Sequence, residues 1–323
     1  HAQETNLQGF YINNITEFTN EKPYVIYGHG IFPENSDITV QPGAEFYFHD
    51  NSGLVFLKNT SLNIQGSLDE KVIFQGDRLE SQYSDLPGQW TGIWFQEENS
   101  GATLKNVIIK NANIGLYSEV SNQPDTKFTL ENVEIYNCSD FGLIGRNSHI
   151  DGKNLVINNS GKSALAIIEG GCYSFIHTTL SNFWNYGIRK HPSVYVSNSN
   201  LPESSDLPTS NDLEKAEFKN CIIEGNQSIE LELHRNEDST FNHYFENTLI
   251  RFDDASGNYQ DNPDYDFENL GYFKNVYFNQ EPDFKDPSKN ELFVGLNSFV
   301  IGKGNNSTTE LVPLDLLGKT RAL

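Results

Sequence analysis

The hydrophobic and polar positions of this chain follow a short block that returns along most of its length: aromatic or apolar, any residue, Asn, apolar, any residue, apolar. It appears as Leu104-Lys105-Asn106-Val107-Ile108-Ile109 and Leu130-Glu131-Asn132-Val133-Glu134-Ile135. It returns around Asn154 and, in a degenerate copy, around His177. Later copies are Phe218-Lys219-Asn220-Cys221-Ile222-Ile223, Phe245-Glu246-Asn247-Thr248-Leu249-Ile250 and Phe273-Lys274-Asn275-Val276-Tyr277-Phe278. Successive Asn (or His177) positions are 26, 22, 23, 43, 27 and 28 residues apart. A period of this size with alternating, β-branched segments predicts coils of three short strands and three turns, that is, a β-solenoid. A leucine-rich repeat would need a stricter Leu lattice and helix-forming stretches, and neither is present.

A second Asn follows the first by five places, at Asn111, Asn137 and Asn159, with Asn182 and Gly225 as the expected equivalents. Asn tolerates the left-handed bend of a coil turn, and its amide can bond the same position one coil along. These asparagines are therefore read as turn residues. A Gly-containing strand is expected next, at Ile114–Tyr117, Phe141–Ile144, Ala164–Ile167, Tyr186–Ile188 and Ile229–Leu233. The fold expected is all-β: a single-stranded right-handed parallel β-helix with inserted loops and an irregular C-terminal cap. Its expected boundaries are 1–37 for a lead-in and cap, 38–282 for the helix, and 283–323 for an incomplete cap. Loops are expected at 77–91, at the Ser/Pro/Asn/Asp-rich 198–213, and at the acidic 253–269.

Composition narrows the function. The chain has 44 acidic against 22 basic residues, a formal charge of −22, which repels nucleic-acid phosphates. No stretch is apolar enough to span a membrane. Cys138, Cys172 and Cys221 are widely spaced, lack a CxxC partner, and read as buried free thiols. The chain contains no Met, so an upstream segment, for which an export signal is one candidate, is expected to have been removed.

Several runs resemble the β-helix surface lipoproteins of Bacteroidota: Lys22-Pro23-Tyr24-Val25-Ile26-Tyr27-Gly28, Phe74–Glu80, Pro87–Trp94, and Asn154–Gly161. Leu316-Leu317-Gly318-Lys319-Thr320-Arg321 is similar to the start of that family's closing motif. The resemblance implies an exported protein, lipid-anchored through a missing N-terminal segment and facing the cell exterior. An N-terminal lipobox Cys and the end of the closing motif are absent. The resemblance supplies location and fold, and no mechanism.

Local chemistry is sparse. Asp77, Arg78, Glu80, Tyr83 and Asp85, ending in Trp90 and Trp94, form a loop that could cradle a sugar, because rings stack on aromatic faces while charged groups bond hydroxyls. The plainer arrangement has Trp94 in the core, Trp90 clamping the loop, and Arg78 paired with Glu80 or Asp85. Trp184, Tyr186, Arg189, Lys190 and His191 form a second group suited to an acidic ligand or to simple coil packing. Asp253, Asp254, Asp261, Asp264 and Asp266 offer oxygen ligands for calcium, the one cofactor considered, though without EF-hand spacing. No nucleotide, serine-hydrolase or zinc-protease fingerprint occurs. The expectation is a non-enzymatic binding or scaffold protein, an accessory subunit of an outer-membrane assembly whose partner is a surface protein or extracellular polysaccharide. The alternative is a glycan-binding protein or a lyase or hydrolase acting on such a polysaccharide.

Overall fold

A computed structural model describes residues 9–119, 127–201 and 209–321. The chain winds as a parallel β-helix of about ten turns. Each turn adds one strand to each of three parallel sheets. The first sheet begins with Gly9–Tyr11, His29–Phe32 and Gly53–Phe56, and passes through Trp90–Phe95 to Leu231–His234. The second runs from Glu17–Phe18 through Asp37–Val40 and Ser61–Gln65 to Phe273–Lys274. The third runs from Tyr24–Ile26 through Glu45–Phe48 and Val72–Gly76 to Tyr277–Phe278. Coils thus begin at Gly9, well before the expected start at Ile38.

Alternation along each strand sends every second side chain into a continuous interior. Identical residue types stack there coil upon coil. Phe32, Phe56 and Phe95 stack at 4.5 and 4.3 Å, and Phe175, Phe218, Phe245 and Phe273 at 5.3, 4.8 and 5.4 Å. Such ring pairs add to the area they remove from water.

The block asparagines sit where the second sheet turns into the third. Asn106, Asn132, Asn154, Asn220, Asn247 and Asn275, with His177, all have φ between 49° and 55°. A carboxamide relieves the penalty of that left-handed bend by bonding along the stack. Asn132 Nδ2 donates to Asn106 Oδ1 at 3.0 Å, and Asn154 Nδ2 to Asn132 Oδ1 at 2.9 Å. Asn111, Asn137 and Asn159 bend left at the next corner, and Asn159 Nδ2 donates to Asn137 Oδ1 at 2.6 Å. Their expected equivalents Asn182 and Gly225 differ: both end extended strands, Thr179–Asn182 and Ile222–Gly225.

Other expectations are corrected. Tyr186–Ile188 is an exposed loop, and Val194–Ser197 is the first-sheet strand of its coil. Trp90, not Trp94, is in the core: it stacks on Phe48 at 4.1 Å, and its Nε1 donates to Lys110 O at 2.9 Å. Unbroken alternation would put Trp90 and Trp94 on one face. Gly92, at φ 136°, resets the phase, so Ile93 and Phe95 point inward and Trp94 outward. A Cβ at Gly92 would lie 1.9 Å from Ile114 O, so only glycine fits there.

The acidic insertion is the end cap. Its Tyr259, Tyr265 and Phe267 cover the last coil, with Phe267 4.8 Å from Phe273 and 4.4 Å from Phe278. The segment 283–321, expected as that cap, instead turns back along the third sheet. Of the 198–213 insertion, 202–208 lie outside the described residues. Cys138 and Cys221 are buried free thiols, whereas Cys172 is half-buried on the outer face of the second sheet. Burial pushes the Cys138 and Cys221 thiols up to about 12.

Candidate functional site

The outer faces of the second and third sheets carry different side chains. On the second, one outward row reads Gln65, Lys105, Glu131, Lys153, Ile176, Lys219, Glu246, Lys274. Charges of opposite sign meet along it, as at Lys105–Glu131 (2.9 Å) and Lys274–Glu246 (2.7 Å). On the third, the outward row reads Ile73, Ile108, Glu134, Val156, Thr179, Ile222, Leu249, Tyr277. Apolar stripes of that length are seldom left to water.

The segment 283–321 is a strap across this stripe. One part is a short hairpin, Phe284–Asp286 against Glu291–Val294. Asn158 Nδ2 donates to Pro287 O (2.9 Å) and to Asn290 Oδ1 (2.8 Å), and Asn290 Nδ2 donates to Asn137 Oδ1 (3.1 Å). The other part runs along the block-asparagine corner. Asn247 Nδ2 donates to Lys303 O (2.6 Å), Asn220 Nδ2 to Thr308 Oγ1 (2.6 Å), and Asn154 Nδ2 to Leu314 O (2.9 Å). Arg321 closes the run by donating to Asn154 Oδ1 at 2.6 Å. The carboxamides that tie coil to coil therefore also anchor the strap, through lone pairs and N–H groups the ladder leaves over.

Because the strap is pinned at both corners, it leaves a trough of about 660 Å³ beneath it. The floor is the outward row from Ile108 to Tyr277. The roof includes Leu292, Phe293, Val294, Val300, Ile301 and Leu317. The volume lies within the range of small-molecule sites. Its carboxylates are engaged. Glu134 accepts from Lys71 Nζ at 2.6 Å and from Tyr136 Oη at 2.8 Å, and Asp315 accepts from the backbone N–H groups of Leu317 and Lys319. His177 lies on the rim, its Nε2 3.2 Å from Thr308 Oγ1, and burial together with nearby Arg321 lowers its pKa to about 4.

The two loops singled out in the sequence meet beside one end of this trough. Tyr186 Oη donates to Asp85 O at 3.0 Å, and Asp85 also lines the trough. Within the first loop, His49 Nδ1 is 2.8 Å from Asp77 Oδ2, and Arg78 lies 5.0 Å over the Tyr83 ring. Glu80 leads into the turn Ser81–Tyr83. In the second, Trp184 and Tyr186 are 5.3 Å apart, and the His191 ring lies 6.5 Å from Phe141. Lys190 is exposed.

Arg189 is not a surface group. It donates to both oxygens of Glu230, at 2.5 and 2.8 Å, with both side chains almost fully buried. It fastens the loop to the solenoid.

Two of the aspartates expected as a calcium set, Asp254 and Asp264, are bonded to other groups. Asp264 is buried and bound in a fork by Arg235, whose Nε donates to Oδ2 at 2.9 Å. Asp254 caps its own turn by accepting from Asn258 N and Tyr259 N. Among the described residues no group of three His, Cys, Asp or Glu is placed to hold a metal ion. Nor is any described helix long and apolar enough to cross a membrane.

A smaller constellation marks the first sheet. Trp94 and Tyr117 lie parallel on its outer face at 6.1 Å, beside a 170 Å³ apolar pocket that also contains His29. Beyond them Arg146 faces three carboxylates: Glu169 (3.0 Å), Glu119 (3.7 Å) and Glu97 (3.7 Å). Burial raises the Glu119 pKa above the usual carboxylate range. Sequence reasoning named Trp94 but none of these charged partners, which lie in four different segments.

No protein-family model, curated protein or solved structure matches the chain.

Proposed function

We propose that this protein is a non-enzymatic binding component of the cell exterior: a rigid β-helix that seats a ligand, or a segment of a surface partner, beneath its C-terminal strap. The trough carries this proposal. It has the volume of a binding site, apolar side chains above and below, and bordering carboxylates already committed to other groups. Such a cleft is suited to holding a ligand. The formal charge of −22 and the resemblance to lipid-anchored surface β-helices support an exported scaffold in an outer-membrane assembly. The test is co-purification from native membranes, comparing the natural chain with Val156→Trp, which fills the trough. A partner or glycan retained by the first and lost by the second is expected. Recovery of both as bare monomers would count against the proposal.

A second reading, a polysaccharide-active enzyme or glycan binder, has one observation in its favour. The Trp94–Tyr117 pair could stack a sugar ring beside Glu119, whose proton is held more tightly, and Glu169, which is ion-paired with Arg146. Incubation with uronic-acid polysaccharides should then release reducing or unsaturated ends, and Glu119→Gln should abolish the release. No new ends from any polymer would remove the enzymatic version.

A further inference from the structure

We infer that the trough takes a single long acyl chain with an anionic head group, an amphiphile of the fatty-acid type. This inference rests on the binding role proposed above and names the ligand class. Three features of the cleft point to it.

The first is shape. From Ile108 to Tyr277 the floor spans six inter-strand steps of about 4.8 Å, roughly 29 Å in all. A trough of 660 Å³ running along that row suits one extended chain laid across the strands. The floor presents side chains and no open sheet edge, so an added strand would find no main chain to pair with.

The second is polarity. Ile108, Val156, Ile222 and Leu249 below face Val300 and Ile301 above. Glu134, Thr179 and the corner asparagines also line the trough, but the amides of Asn154, Asn220 and Asn247 are spent on the strap. A chain of hydroxyl-bearing sugars would therefore find few free partners for the water it loses, whereas methylenes need none.

The third is charge. In a chain of net charge −22, an anion meets repulsion almost everywhere. Yet the trough carries Lys110 at the Ile108 end and Lys303 at the Tyr277 end. Lys303 Nζ lies 5.7 Å from the Tyr277 ring and 5.1 Å from the Phe299 ring. Among the described residues neither lysine is paired with a carboxylate, while Lys71 serves Glu134 and Lys289 serves Asp286. A largely apolar slot with an ammonium free of carboxylates at each end suits a long hydrocarbon ending in a carboxylate.

The test is displacement of a dansylated undecanoate probe from the full chain by oleate and by oleyl alcohol. Oleate should displace it about tenfold better, the weight of one charge-assisted bond. That preference should vanish in the Lys110→Gln/Lys303→Gln double variant, and the single variants should show which end holds the head. Val156→Trp and Ile222→Trp, each checked for native circular dichroism, should lose the probe altogether.

Equal potency of acid and alcohol, or the absence of saturable probe binding, would overturn the inference. So would probe binding that survives both Trp variants, which would assign it to exposed strap residues such as Leu296. If the probe fails while Val156→Trp still abolishes capture of a membrane partner, the binding role stands and the acyl ligand falls.

Discussion

The second and third sheets are built from the same coils, by the same alternation, yet they meet solvent in opposite ways. The outward rows of the second are mostly charged and polar side chains, and the return segment touches them at Glu246, which accepts from Asn305 Nδ2. The outward row of the third is mostly Ile, Val, Leu and Tyr, and a segment of chain is spent covering it. The interior is common to both, so a β-helix's inward pattern says little about where it binds. Outward residues decide that.

The contrast can be broken most severely by placing a charge in the apolar row. Val156→Asp should cost about 3 kcal/mol, because it puts an unpaired carboxylate under the strap. Thr103→Asp, on the outer face of the second sheet between Asn63 and Thr129, should stay within about 0.5 kcal/mol. Urea unfolding would measure both, and limited proteolysis within 283–321 would show whether the strap lifts first in the former.

Next in size are the corner asparagines. Asn154 combines a left-handed backbone, a ladder bond and two strap bonds. Asn154→Ala should lose about 2 kcal/mol, and Asn154→Gly about half of that, since glycine restores the backbone but not the amide. Asn59 is left-handed too, but it is exposed, and its side chain donates to Asn35 along its stack with no strap bond among the described residues. Asn59→Ala should therefore cost less than Asn154→Ala. Equal losses would mean that the strap adds nothing to the ladder.

A pH-dependent effect comes third. The unfolded chain takes up a proton on His177 near 6.5, and the folded chain only near 4. Stability from this group is therefore full above pH 6.5 and is lost as pH falls through the interval to 4. Glu224, raised to about 7 by burial, acts in the opposite sense and loses stability as pH rises from its ordinary 4.5 to about 7. His177→Asn, which extends the asparagine ladder, should remove only the acid-side loss. Thermal melts of both proteins between pH 4 and 7 would show it.

The smallest effect belongs to the second sheet. Breaking its ion pair with Lys105→Ala should change stability by no more than about 0.5 kcal/mol, in a urea melt.

The fold was legible because the Asn block marks a backbone requirement, a left-handed corner, and that requirement recurs once per coil. The reading erred where a single residue changed phase, as Gly92 does between Trp90 and Trp94, or where a slot in the repeat held a residue that stays extended, as at Asn182. The site was far less legible. The loop 77–91 and the group Trp184, Tyr186, Arg189, Lys190 and His191 drew attention for their charges and rings, and they do meet, through Tyr186 and Asp85. Their chief cation, Arg189, proved to be buried on Glu230, a pairing across 41 residues that no local pattern announces. The trough escaped notice for two reasons. An outward Ile in a strand looks like an inward one until the register is known. The strap itself has no period, so nothing in 283–321 signals which coils it crosses.

The strap's anchor points carry one more consequence. A solenoid of near-identical coils can gain or lose a unit with little penalty, since each coil touches only its neighbours. Here Asn290 reaches Asn137, Lys303 reaches Asn247 and Arg321 reaches Asn154, so a fixed span of chain is laid against a fixed number of rungs. An added or missing coil inside that span would throw those attachments out of step. The return segment thus serves as a ruler, holding an otherwise extensible repeat to a set length.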